Sequence, residues 1–100
     1  MEEIMTLRQK QSAFARDVCL LLMYMTNCGY EYTFGDAARM DKSGHKANSM
    51  HYKRLAIDIN LFRNGRYLQN TSDHKIFGEF WQSLGRKWGG DFNDGNHYEY

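Results

Sequence analysis

Asn64-Gly65 stands between two arms of alternating character, Leu55 to Arg63 before it and Arg66 to Leu68 after it. Asn-Gly in that setting is the strongest short-range hairpin signal, because both residues tolerate the left-handed backbone of a two-residue turn. A chain of 100 residues with a hairpin near its middle must build an antiparallel sheet and cover one face of it, since an isolated hairpin is barely stable. Within the first arm Leu55, Ile57 and Ile59 alternate with Ala56, Asp58 and Asn60. Asp58 is therefore expected on the face opposite the aliphatics.

The covering elements are also legible. Leu7, Phe14, Val18, Leu21, Leu22 and Met25 recur at helical spacing, and Thr6 with Gln9 reads as a capping box. A helix is predicted from Thr6 to Cys28, with Gly29 as its stop. Tyr30 to Phe34 alternates with period two and reads as a strand. Gly35 to Asn48 is small and polar, an extended surface loop of a length that is often functional. Ser72 or Asp73 is expected to cap a second helix, with Phe77, Phe80, Trp81 and Leu84 as its apolar face and Gly85 at its end. A turn from Gly89 to Gly95 leads into a last strand, His97 to Tyr100. This order predicts an α+β fold, a small, mostly antiparallel sheet flanked by helices.

Thirteen Lys and Arg against twelve Asp and Glu leave a net charge of +1, so no bulk field draws nucleic acid or anionic lipid. The longest apolar stretch, Val18 to Met25, is too short to span a bilayer, and no small-residue cleavage site follows it. No repeat, linker or proline divides the chain, which is expected to be one domain, 1–100, and a monomer. Cys19 and Cys28 lie about 13 Å apart along the helix axis, too far for a disulfide. They read as reduced thiols, one in the core and one near the helix end.

Four histidines are present: His45, His51, His74 and His97. His45 lies in the loop, and His74, in the first turn of a helix, reads as an ordinary hydrogen-bonded residue. His51 precedes Asp58 by seven residues, and Asp94 precedes His97 by three. Two imidazoles and a carboxylate with a fourth position open to water make a common catalytic zinc site, and a further carboxylate beside it can take a proton. Structural ion pairs explain the same neighbours, so spacing leaves both readings open. Trp81 and Trp88 read as core packing rather than a sugar platform. Lys53, Arg54, Arg63 and Arg66 read as a solvated, aggregation-resistant strand edge or as an attraction for an anionic wall polymer. Asp91, Asp94 and Glu99 form an acidic group that a cation would relieve.

The run Ser49-Met50-His51-Tyr52-Lys53-Arg54-Leu55-Ala56-Ile57-Asp58 resembles the Ser-x-His-x-x-Gly-x-Ala-x-Asp signature of the M15 peptidases. These are zinc D-Ala-D-Ala carboxypeptidases, related dipeptidases and phage L-alanyl-D-glutamate endolysins. Asp94-Gly95-Asn96-His97-Tyr98-Glu99 resembles the second signature, an acid three residues before a histidine. Tyr32 to Arg39 resembles the segment of phage members that carries a substrate-contacting arginine. The resemblance, which runs over nearly the whole chain, implies a fold of the hedgehog/DD-peptidase kind. It implies that His51, Asp58 and His97 bind Zn²⁺ and that Asp94 is the general base. It further implies that Arg39 stabilises an oxyanion or holds a substrate carboxylate and that Ser49 hydrogen-bonds near the substrate. Glu99 would orient a histidine ligand. Arg54 stands where the family usually has glycine, so its backbone is expected to avoid a positive φ, or the strand to start differently. The loop between Arg39 and Ser49 is shorter than in phage members.

The implied function is zinc-dependent hydrolysis of a stem-peptide bond of bacterial peptidoglycan, with no nucleic-acid or membrane partner. An L-Ala–D-Glu endopeptidase of the endolysin type is expected over a D-Ala-D-Ala carboxypeptidase, because an envelope carboxypeptidase would need an export signal. On that expectation the protein waits in the host bacterial cytoplasm until it is released to the wall. A non-catalytic glycan- or nucleic-acid-binding module is the rival from another class; it predicts a contiguous basic surface and no use for Asp94.

Overall fold

Residues 4–35, 50–51 and 53–100 are described by the computed structural model of the protein. Helix α1 spans Leu7–Asn27. Its start is held by a complete capping box, in which Thr6 Oγ1 accepts from the Gln9 N–H at 3.1 Å and Gln9 Oε1 accepts from the Thr6 N–H at 2.8 Å. Phe14, Val18, Leu21 and Met25 form its buried stripe. Leu7, half-exposed at 50%, stands off the stripe. Cys19, expected in the core, is instead exposed, and Cys28 is half-buried. The helical period explains it, because residue 19 lies about 100° around the axis from Val18 and faces outward.

Strands β1 (Glu31–Phe34), β2 (Ala56–Arg63), β3 (Arg66–Leu68), β4 (Lys87–Trp88) and β5 (His97–Glu99) form one sheet. All its pairings are antiparallel, in the order β1-β2-β5-β4, with β3 also on β2. The β2–β3 turn is the predicted hairpin, with Asn64 at φ 52° and Gly65 at φ 78°. β2 organises the sheet. Its first half pairs with β5 and its second half with β3, while β1 runs along the opposite edge. A gap between β3 and β5 is left beside Ile59 and Asn60, bridged by the Ile59 N–H donating to the Asn96 carbonyl at 2.8 Å.

Helix α2 spans Lys75–Ser83 and is preceded by a 3-10 turn, Thr71–His74. The expected cap at Ser72 or Asp73 is displaced to Asn70: Asp73 reaches back and accepts the Asn70 N–H at 3.1 Å. The side chain of Asp73 serves the turn from its third position, not its first. β4 has only two residues and carries no alternation to read, so the sequence pattern missed it.

Both helices pack on one face of the sheet, where Ile57, Ile59 and Leu61 of β2 meet Tyr98, Phe77, Trp81 and the α1 stripe. Trp81 is fully buried, edge-on to Phe14 at 5.8 Å and to Tyr98 at 5.9 Å. Its indole N–H donates to the Lys87 and Glu99 carbonyls at 3.0 and 2.9 Å. The ring that fills the core thus also pins β4 and β5, and the packing reading of Trp81 holds. Arg86 Nε donates to Asp17 Oδ2 at 2.7 Å, tying the turn after α2 to α1. With Ile57, Ile59 and Leu61 facing the helices, the other face of β2 carries Asp58, Asn60 and, toward the hairpin, Phe62, which stacks on Tyr67.

Candidate metal centre

Alternation along β2 turns Asp58 away from Ile57 and Ile59, and the β2–β5 register sets His97 directly opposite it. His51 arrives from the turn that leads into β2. The Met50 carbonyl accepts from the Lys53 N–H at 3.2 Å and the Leu55 N–H at 2.8 Å, and the His51 carbonyl accepts from the Arg54 N–H at 3.2 Å. Arg54 closes this turn at φ 56°. The expectation that its backbone would avoid a positive φ is therefore wrong: the arginine takes the left-handed conformation that glycine adopts freely, at a cost of about 1 kcal/mol.

The three side chains converge. His97 Nδ1 lies 3.1 Å from Asp58 Oδ1, His51 Nε2 lies 3.3 Å from His97 Nδ1, and His51 Nε2 lies 3.5 Å from Asp58 Oδ1. Ligands about 2.0–2.2 Å from a tetrahedral zinc stand roughly 3.3–3.5 Å from one another. The three measured edges match or approach that figure, and two imidazoles with one carboxylate are the donor set such an ion takes with one position left open. His51, Asp58 and His97 thus fit a zinc ion in both donor chemistry and spacing. His51 is buried at 2% exposure, whereas Asp58 and His97 each keep 20%, so solvent reaches the cluster through these two.

Glu99 follows His97 by two residues and shares its strand face. Its Oε1 lies 3.0 Å from His97 Nε2. A proton held there by the carboxylate leaves the Nδ1 lone pair facing Asp58 and His51. The Asp58 hydrogen bond, opposed by burial and reinforced by Glu99, pushes the His97 pKa up to about 9. A cation bound at Nδ1 therefore has to displace the second ring proton, the one on Nδ1, while Glu99 keeps the one on Nε2, because only neutral imidazole ligates.

Asp94 sits at the turn before β5. Its N–H donates to the Gly89 carbonyl at 2.9 Å and its own carbonyl accepts from the His97 N–H at 3.1 Å. A Cβ at position 89 would run into the Asp94 carbonyl and lie 2.8 Å from His97 Cβ, so this close approach requires glycine. The backbone of Asp94 is locked to β5 while its side chain is exposed. Among the described residues no hydrogen bond or ion pair holds that carboxylate, and it is not one of the three converging donors. Nor do Asp91, Asp94 and Glu99 gather into an acidic group: Asp91 accepts from Gln82 Nε2 at 3.4 Å and Glu99 faces His97. Arg39, Ser49 and His45 lie outside the described residues.

One histidine had more to it than its sequence setting showed. His74 is buried at 1% exposure with Nδ1 2.8 Å from the Tyr98 hydroxyl. Burial drives its pKa down to about 4, against a smaller opposing pull from Asp73. Burial likewise raises the Tyr98 phenol. The pair is neutral at physiological pH and joins the turn before α2 to the strand that carries His97. Trp88 is half-buried, its ring lies against Gly78 and Gly90, and its N–H donates to the Gly95 carbonyl at 2.7 Å.

A family model of the M15 peptidases, described as D-alanyl-D-alanine carboxypeptidase, matches residues 43–100, more than half of the chain and the part that carries His51, Asp58, Asp94 and His97. No curated protein matches the sequence.

Proposed function

The chain belongs to the M15 peptidases, and on that premise we propose that it hydrolyses a peptide bond in the stem peptides of bacterial peptidoglycan, with a zinc ion held by His51, Asp58 and His97. The observation that carries this reading is the triangle of 3.1, 3.3 and 3.5 Å between their donor atoms. When bound, zinc supplies a Lewis acid that polarises a carbonyl and acidifies water. Asp94 is the general base: its exposed carboxylate takes a proton from the attacking water and returns it to the leaving amine. Glu99 keeps the His97 ring in the ligating orientation through the 3.0 Å hydrogen bond. By their place in the family resemblance, Arg39 stabilises the oxyanion or grips a substrate carboxylate, and Ser49 hydrogen-bonds near the substrate.

Within this class the reading is an L-Ala–D-Glu endopeptidase of the endolysin kind, supported by the likeness of Tyr32 to Arg39 to phage members. The description of the matching family favours the second reading, a D-Ala-D-Ala carboxypeptidase. Mass analysis of the fragments released from purified peptidoglycan decides between them. The endopeptidase frees peptides with D-Glu at the amino end, and the carboxypeptidase frees only D-alanine. Release of neither product by the zinc-loaded protein overturns the proposal.

A further inference from the structure

The gap between β3 and β5 opens into a cavity of about 160 Å³, the space of about five water molecules. Its position is fixed by the strand that supplies Asp58. Asn60 lines it, lies two residues along β2 on the same face, and so stands about 7 Å from Asp58. Asp94 lines it too. The cavity therefore adjoins the metal centre at a distance of about two residues of extended peptide.

Its lining is polar and lacks positive charge. Asn60, Tyr67, Gln69 and Thr71 supply neutral donors and acceptors, and among the described residues no Lys or Arg contributes. Several of these groups are already oriented. The Tyr67 hydroxyl donates to Asn60 Oδ1 at 3.3 Å, and Asn60 Nδ2 donates to Thr33 Oγ1 at 3.3 Å. Thr71 Oγ1 accepts the Gly95 N–H at 3.1 Å, which leaves the threonine hydroxyl proton to donate elsewhere. Leu68, Asn93, Gly95 and Asn96 complete the wall together with an imidazole, that of His74. It could become a cation in another setting, but burial lowers its pKa to about 4 and keeps it neutral near pH 7. A carboxylate placed here would meet the Asp94 charge with no Lys or Arg of the described lining to offset it, whereas a carboxamide, both donor and acceptor, can pair with these neutral groups.

We propose that this cavity is a subsite for a small uncharged hydrogen-bonding group on a substrate residue flanking the bond to be cut, a primary carboxamide, and that it selects against the free carboxylate. The inference rests on the peptidase reading above and adds the chemistry of the neighbouring residue.

The test uses two stem peptides identical except that one carries a carboxylate and the other a carboxamide on the residue beside the scissile bond. For the zinc-loaded protein kcat/KM is expected to favour the carboxamide by at least about tenfold, since a site of oriented neutral groups beside a carboxylate rejects a second negative charge it cannot pair. In Tyr67→Phe and Gln69→Ala that ratio falls toward unity. A wild-type ratio at or below one overturns the subsite, as does a ratio unchanged in both variants. If neither peptide is cut, the peptidase reading fails, and the subsite is judged by binding alone. Titration of the carboxamide peptide is then expected to shift the side-chain amide NMR resonances of Asn60 and Gln69, and the carboxylate peptide is expected to leave them in place. Equal shifts from both peptides, or none from either, overturn it.

Discussion

Acidification strikes the protein at His74. The ring is 1% exposed, and burial lowers its pKa from 6.5 to about 4. In the unfolded chain the same group titrates near 6.5. Between these values the unfolded state holds more protons than the folded one, so the stability it contributes is present above 6.5 and is lost as pH falls toward 4. The full shift corresponds to about 3 kcal/mol, of which about 2 kcal/mol is gone by pH 5. That is a large share of the stability of a small domain. The assay is urea unfolding from pH 7.5 to 5 on the wild type and on His74→Gln, which removes the titration and keeps hydrogen-bonding capacity. Protonation of the metal ligands acts on both proteins and cancels in the comparison. The wild type should lose about 2 kcal/mol more than the variant over this range. Parallel curves would refute the reasoning, because they would mean that His74 does not stay neutral in the folded protein.

Three other outcomes follow from the geometry. Asp94→Asn should keep the metal, since Asp94 is not among the converging donors, and should lower kcat about 10²- to 10⁴-fold; full activity on purified sacculi would remove Asp94 from the mechanism. Arg54→Gly should raise the unfolding free energy by up to about 1 kcal/mol by relieving the backbone at φ 56°, and a loss of that size in urea unfolding would contradict the strain. Gly89→Ala should cost about 1–3 kcal/mol and weaken zinc binding, because the added Cβ meets the Asp94 carbonyl and crowds His97. A wild-type melting temperature with wild-type zinc affinity would show that the approach is not tight.

What was legible in the sequence is what local patterns encode. Asn64-Gly65 announced the hairpin, Thr6 and Gln9 announced the start of α1, and alternation put Asp58 opposite Ile57 and Ile59. The pairing of Asp58 with His97 is a matter of register between strands 39 residues apart, which no local pattern states. The same holds for the cavity between β3 and β5, which exists because two strands share one edge of β2 without meeting. His74 looked ordinary because its burial depends on Tyr98, 24 residues later. Arg54 ran against the sequence rule on φ because the turn from Met50 to Leu55 imposes the conformation whatever residue stands there. β4 was missed because two residues hold no period; its place comes from the Trp81 N–H bonded to Lys87.

The central claim is that His51, Asp58 and His97 form one zinc site. Elemental analysis of the purified protein, after dialysis against zinc-free buffer, tests it most directly. The account predicts about one equivalent of zinc in the wild type and in Asp94→Asn, and none retained in His51→Ala. A wild-type protein without stoichiometric zinc, or a His51→Ala protein that keeps it, would contradict the account.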